Sequence, residues 1–165
     1  MTTKMLQLTP LTAPAFQPFG DVISVETSQS VELINRGHTQ RFNQPTELAL
    51  TQPGFVPALS IFRSEGWQLP VPITALERHP HSSQSFIPLG NTPFIIVVAP
   101  PGELVESEIR AFMSSPGQGI NYRPGTWHHF HMAHQQKADF LVIDVVGEPA
   151  NCDEAQLLDP ITLCH

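Results

Sequence analysis

Prolines and glycines interrupt this chain at short intervals, seventeen of the first and ten of the second in 165 residues. Proline fixes φ and removes a backbone donor, and glycine loosens the backbone, so short strands between turns are favoured over long helices. The segments between the breaks read as strands. Asp21–Glu26 alternates, Ala58–Phe62 is mostly apolar and ends on Arg63, and Ser85–Leu89 stops at Gly90-Asn91. Further strands are predicted at Glu32–Asn35, Ile109–Met113 and Asp139–Val146, with Leu69–Leu76 held extended by its prolines. Phe94–Ala99 is apolar at every position, as expected of a strand buried on both faces. Helix signals are confined to a segment opening at Thr9–Thr12 and ending near Gly20, and to the tail from Asn151 or Asp153 to Leu158. Residues 41–57 give mixed signals. The pattern predicts an all-β antiparallel sandwich or barrel that can hold one small ligand.

The length suits one domain over residues 1–165. A net charge of −7 with only eight Lys and Arg argues against nucleic acid and anionic membrane surfaces, which need clustered cations. A small anion would need a local arginine. Cys152 and Cys164 form no disulfide framework and no metal-like spacing, so a reducing cytoplasm is expected. Met1–Thr9 lacks the features of a signal peptide, and no apolar run reaches membrane-spanning length.

Two stretches carry the chemistry. In the first, the Pro124-Gly125 turn leads into Trp127-His128-His129-Phe130-His131-Met132. Continuous strand alternation would put His128 on one face with Phe130 and Met132, and His129 on the other with Trp127 and His131. His128, on the apolar face, is then the candidate functional group, with a satisfied core histidine as the alternative. In the second stretch, Leu76–Gly90, an extended backbone points Glu77 and His79 the same way. Gln84 can return to them after the Pro80–Ser83 break. With His128 joining, Glu77, His79, Gln84 and His128 form a candidate set of ligands for a divalent metal, Gln84 being the weak one. The alternative makes Glu77 and Arg78 a solvated charge pair and His79 a turn residue.

The order Glu77-x-His79, Gln84, Gly90, then Pro124-Gly125-x-x-His128 resembles the two-part metal motif of the cupin superfamily. Gln84 stands where cupins usually carry Glu, and Glu77 where they usually carry His. A narrower resemblance spans most of the chain. Phe19–Ile23, Ile34-Asn35 with Gly37, Arg41-Phe42 and Arg63 resemble the ureidoglycolate lyase family, older name ureidoglycolate hydrolase. So do Leu76–Pro80, Gln84 with Phe86–Pro88, Arg110–Phe112, Gln118–Tyr122, Trp127–His129, Asp139–Leu141 with Ile143-Asp144, and Asn151–Asp153. Where family members often carry proline after the His pair, this chain has Phe130 and His131. The resemblance implies a cupin-like, double-sheet β barrel with a few short helices, usually a homodimer. It implies cleavage of ureidoglycolate into glyoxylate and urea in allantoin and purine degradation, with nickel as a possible cofactor.

The residues suit that chemistry. Breaking the C–N bond needs a base for the hydroxyl proton and an acid for the leaving nitrogen, roles open to His128, His79 and Glu77. The substrate carboxylate calls for an arginine. Arg41, Arg63 and Arg110 are candidates, with Arg63 preferred because it ends a predicted strand. Asn35, Gln84 and Asn121 can read the ureido group. Asp144 can buttress a histidine, and Tyr122 and Trp127 are expected as wall residues. Three alternatives stay open: a hydrolase releasing ammonia and carbon dioxide, a non-catalytic barrel that binds a small carboxylate, and an unrelated cupin oxygenase.

Overall fold

The structure, a computed structural model, describes residues 4–165. Of the Met1–Thr9 segment considered for a signal peptide, residues 1–3 lie outside the described residues. The strands in chain order begin with β1 (Lys4–Gln7), β2 (Thr9–Pro10), β3 (Gly20–Ile23), β4 (Ser30–Ile34) and β5 (Thr39–Asn43). They continue with β6 (Phe55–Ser64), β7 (Gly66–Trp67), β8 (Val71–Arg78), β9 (Gln84–Pro88), β10 (Phe94–Ala99) and β11 (Arg110–Met113). The last are β12 (Gly119–Tyr122), β13 (Trp127–His128), β14 (Met132–His134), β15 (Ala138–Gly147) and β16 (Asp153–Cys164). One helical turn, α1 (Ala13–Phe16), starts at Thr12, whose side chain accepts from the Ala15 N–H as an N-cap should.

The strands form two main sheets. The larger runs β1-β16-β8-β13-β10-β11-β2, with β14 on β10 and β7 on β14, and the smaller runs β3-β12-β9-β15-β6. The two remain separate ladders, so the predicted barrel takes its double-sheet form rather than a single closed cylinder. Among the described residues β4 and β5 pair only with each other. Most pairings are antiparallel; β1 with β16, β2 with β11 and β7 with β14 are parallel.

β10 is buried at all six positions, as its unbroken apolar run predicts. Phe94, Ile96 and Val98 pack with Phe86, Ile120, Tyr122, Phe140 and Val142 of the smaller sheet. Ile95, Val97 and Ala99 pack on the other side, with Ile73 and Leu76 of β8 and Ile161 and Leu163 of β16. Phe16 plugs one end of the first core against Phe19, Phe112 and Tyr122. Burying one such ring stabilises by about 1.5–3 kcal/mol.

Three elements differ from expectation. The first helix is a single turn, because Thr9-Pro10 pairs with Phe112-Met113 instead. The tail is strand, not helix: Asp153–Gln156 and Ile161–Leu163 register against β8. Its caps were local signals, overruled by a free sheet edge that needed covering. Finally, Trp127–Met132 is not one strand, since residues 129–131 leave the ladder between β13 and β14. Among the described residues no helix is long and apolar enough to cross a membrane.

Phe16→Ala is expected to lower unfolding stability by about 3–5 kcal/mol in denaturant titration. Leu158→Ala, at a position 90% exposed, should change it by less than about 0.5 kcal/mol. Equal losses would contradict this core.

Candidate functional site

Sheet register brings the candidates together. β13 pairs with β8 so that His128 sits directly opposite Glu77. β12 pairs with β9 so that Tyr122 sits opposite Gln84. His79 follows the end of β8. Its Nδ1 lies 2.7 Å from the Asn151 carbonyl, and the Asn151 side chain accepts from the His81 N–H and donates to Ser82 Oγ. That clamp fixes the turn after β8. Glu77, Gln84 and His128 line a cavity of about 300 Å³ walled by Phe62, Phe86 and Phe130. One ligand atom each from Glu77, His79 and His128 fall within 4.8 Å of one another.

The hydrogen bonds set the tautomers. A carbonyl only accepts, so His79 carries a proton on Nδ1, and Nε2 is the atom whose lone pair the neutral ring offers. His128 does the same, with Nδ1 at 3.1 Å from the His129 carbonyl. Both Nε2 atoms are buried and have no hydrogen-bond partner among the described residues. The ring of Tyr122 lies flat against His128, centroids 4.3 Å apart and planes 3° from parallel. Burial, reinforced by His79, pushes the His128 imidazole down to about 3, against the opposing pull of its backbone bond. It is therefore neutral at neutral pH, and its 4.0 Å approach to Glu77 Oε1 is not an ion pair. Burial, then the Glu77 charge, pushes the Tyr122 phenol up and keeps it protonated.

Two orphaned imidazole lone pairs beside a carboxylate fit a divalent cation that accepts mixed nitrogen and oxygen ligands. The Asn151 carbonyl behind His79 is the second-layer support such sites use to fix a ligand ring. Gln84 donates through Nε2 to Asp144 Oδ2 at 3.1 Å, which leaves its Oε1 for a cation or a ligand.

The other predicted residues, Arg63 apart, do not line this cavity. Arg63 stands at the cavity rim, paired bidentately with Asp139 at 2.8 and 2.9 Å. That guanidinium holds the Asp139 carboxyl below the usual range. Arg41 and Asn35 are exposed on the β4–β5 hairpin and its turn and do not line this cavity. Arg110 caps Ser107 and Ile109 carbonyls and borders a different groove. Asn121 is fully buried and accepts from Ser85 Oγ at 2.7 Å. It points to the face of β12 opposite Tyr122.

Sequence alternation missed His131. Because residues 129–131 leave the ladder, His131 turns into the cavity that contains His128. His129 instead packs against Trp67 and Phe130, and borders a neighbouring groove with Glu77 and Glu154.

Fold and site together define a double-sheet β protein with a small polar cavity built on two histidines and a carboxylate. The sequence pattern of the ureidoglycolate lyase family matches residues 3–164, and the chain belongs to that family. A ureidoglycolate lyase of Pseudomonas savastanoi pv. phaseolicola is 49% identical over 152 residues, 92% of this chain and 89% of that protein. One of Pseudomonas fluorescens is 46% identical over 152 residues, 92% and 90% of the two chains. One of Burkholderia mallei is 42% identical over 160 residues, 97% and 94% of the two chains.

The cavity gives a pH prediction. Burial holds the His131 imidazole down to about 3, against 6.5 for a free ring. The unfolded chain therefore binds the extra proton between those values. The stabilisation from the neutral ring is complete above the free value and is lost as pH falls toward the folded one. Tm should fall between about pH 7 and 5, and less steeply in His131→Phe than in the parent. Parallel curves would contradict the buried neutral ring.

Proposed function

We propose that this protein splits ureidoglycolate into glyoxylate and urea. The observation that carries the reading is the match to the lyase family over residues 3–164, joined to a cavity where Glu77 and His128 face each other. The cavity suits a substrate of this size, and Phe62 and Phe86 give its planar ureido group an apolar surface.

In this reading the Glu77 carboxylate takes the hydroxyl proton, the C–O bond becomes a carbonyl, and the C–N bond breaks. The proton then passes to the departing urea nitrogen. His79 and His128, held in one tautomer by Asn151 and His129 carbonyls, keep their Nε2 atoms free as ligand atoms beside Glu77. Glu77, His79 and His128, with Gln84 Oε1, would hold a divalent cation, nickel by family resemblance. Such a cation would lower the pKa of the substrate hydroxyl. Arg63 uses Nε and Nη2 on Asp139, which leaves Nη1 for the substrate carboxylate. Arg41, Asn35 and Asn121 take no part in this mechanism.

The chain is further proposed to act as a homodimer in the cytoplasm. Leu59 and Ile61 on the outer face of β6, and Val31 and Leu33 on the hairpin, are more than half exposed. Two copies can cover these strips mutually, as a two-fold interface does. Light scattering should give twice the chain mass, and Leu59→Asp with Ile61→Asp should halve it. Cys152 and Cys164 are both free thiols, in keeping with a reducing compartment.

Purified protein with ureidoglycolate should yield glyoxylate and urea in a urease-free assay, with and without added nickel. Glu77→Gln and His128→Ala should each lower kcat by about 100-fold or more. Ammonia without urea would instead favour the hydrolase. A ligand-induced rise in Tm with no turnover would favour a binding protein, and oxygen uptake with iron an oxygenase. Full activity in both variants would remove the site from this cavity.

A further inference from the structure

His131 lines the cavity and has no part in the bond cleavage described above. Its ring lies on Phe86 with centroids 4.4 Å apart and planes parallel. It also meets Phe94 at 4.9 Å and Phe140 edge-to-face at 4.0 Å. The three phenylalanines are themselves buried, so the imidazole cannot turn freely. Nε2 is closed off from solvent and has no hydrogen-bond partner. Nδ1 has no partner among the described residues either, yet it is not closed off.

A neutral imidazole has one N–H and one lone pair. Phe140 stands at 72° to the imidazole and can turn its negative face to a ring N–H, so the enclosed nitrogen is better satisfied as N–H than as a lone pair. The proton therefore belongs on Nε2, and Nδ1 is an acceptor on the cavity side. Burial keeps the ring unprotonated near neutral pH, so the acceptor persists under working conditions. Of the other acceptors lining the cavity, Glu77 and Gln84 Oε1 are committed to the hydroxyl and the cation in the reading above, and the Arg63 guanidinium can only donate. An acceptor locked against a flat aromatic wall suits a planar ligand group that ends in N–H.

We propose that His131 Nδ1 accepts a hydrogen bond from the terminal amino group of a ureido ligand, making His131 a substrate-binding residue that distinguishes a carbamoyl end from an acetyl end. The proposal rests on the reading of this cavity as a ureidoglycolate site.

Two stable probes isolate it. Ureidoacetate and N-acetylglycine share a carboxylate and a planar amide, and differ by a terminal amino group against a methyl group. In calorimetric titration the parent protein should bind ureidoacetate about tenfold more tightly than N-acetylglycine. His131→Phe keeps a ring of similar shape and should bring that ratio close to one. His131→Gln, whose Oε1 also accepts, should restore part of it. Equal binding of the two probes by the parent, no binding of either, or an unchanged ratio in His131→Phe would each overturn the proposal. So would a loss of affinity for both probes alike, the mark of a packing role alone. Preference without release of urea from ureidoglycolate would sink the cleavage reading and leave His131 in place. Urea release with a preference independent of His131 would do the reverse.

Discussion

The structure depends on burial of β10 from both sides. Six consecutive apolar residues divide by alternation into two sets of three, and each set is the centre of a separate core. A strand of this kind cannot sit at an edge, because both of its faces must be removed from water. It therefore recruits β11 and the β13–β14 segment as neighbours. The smaller sheet covers one face, and β8 with β16 contribute to the packing on the other. The position of His128 follows directly, since it is the cross-strand partner of Val98 on one side and of Glu77 on the other.

The site exploits the same burial. Histidines at the margin of an apolar core lose their charged form to desolvation, and His128 and His131 are both held neutral in this way. The neutral His128 ring, oriented by the His129 carbonyl, and the neutral His131 ring, held between phenylalanines, present lone pairs rather than positive charge. The pocket thus sets a carboxylate and basic nitrogens beside each other without neutralising the carboxylate in an ion pair. The strongest ion pair nearby, Arg63 with Asp139, is kept to the exposed rim, where water can solvate it and where it contributes little to stability.

Much of this could be read from the residues. Period-two alternation and the Pro and Gly breaks located most of the strands, and Phe94–Ala99 was legible to the residue. The meeting of Glu77, His79, Gln84 and His128 followed from two extended segments and a turn. What could not be read was long-range pairing. The tail's helix caps gave way because β8 offered an edge, and no local signal reports a distant edge. Arg63 does border the cavity, as its place at a strand end suggests, but its bidentate pairing with Asp139 joins β6 to β15 and has no local signal. Alternation carried through Phe130 puts His131 on the face away from His128, whereas the ladder lapses at residues 129–131 and frees it to turn.

That lapse separates two properties that a strand normally ties together. Within a ladder, an added or lost residue reverses every later side chain. Residues 129–131 lie between two short anchored pairings, β13 on β8 and β10, and β14 on β10 and β7. Changes in these three residues can alter which side chain meets the ligand while His128 and Met132 keep their register. The fold therefore contains a short tunable insert beside a fixed reactive centre, and descendants of this chain could acquire new ligand preferences there without rebuilding either sheet.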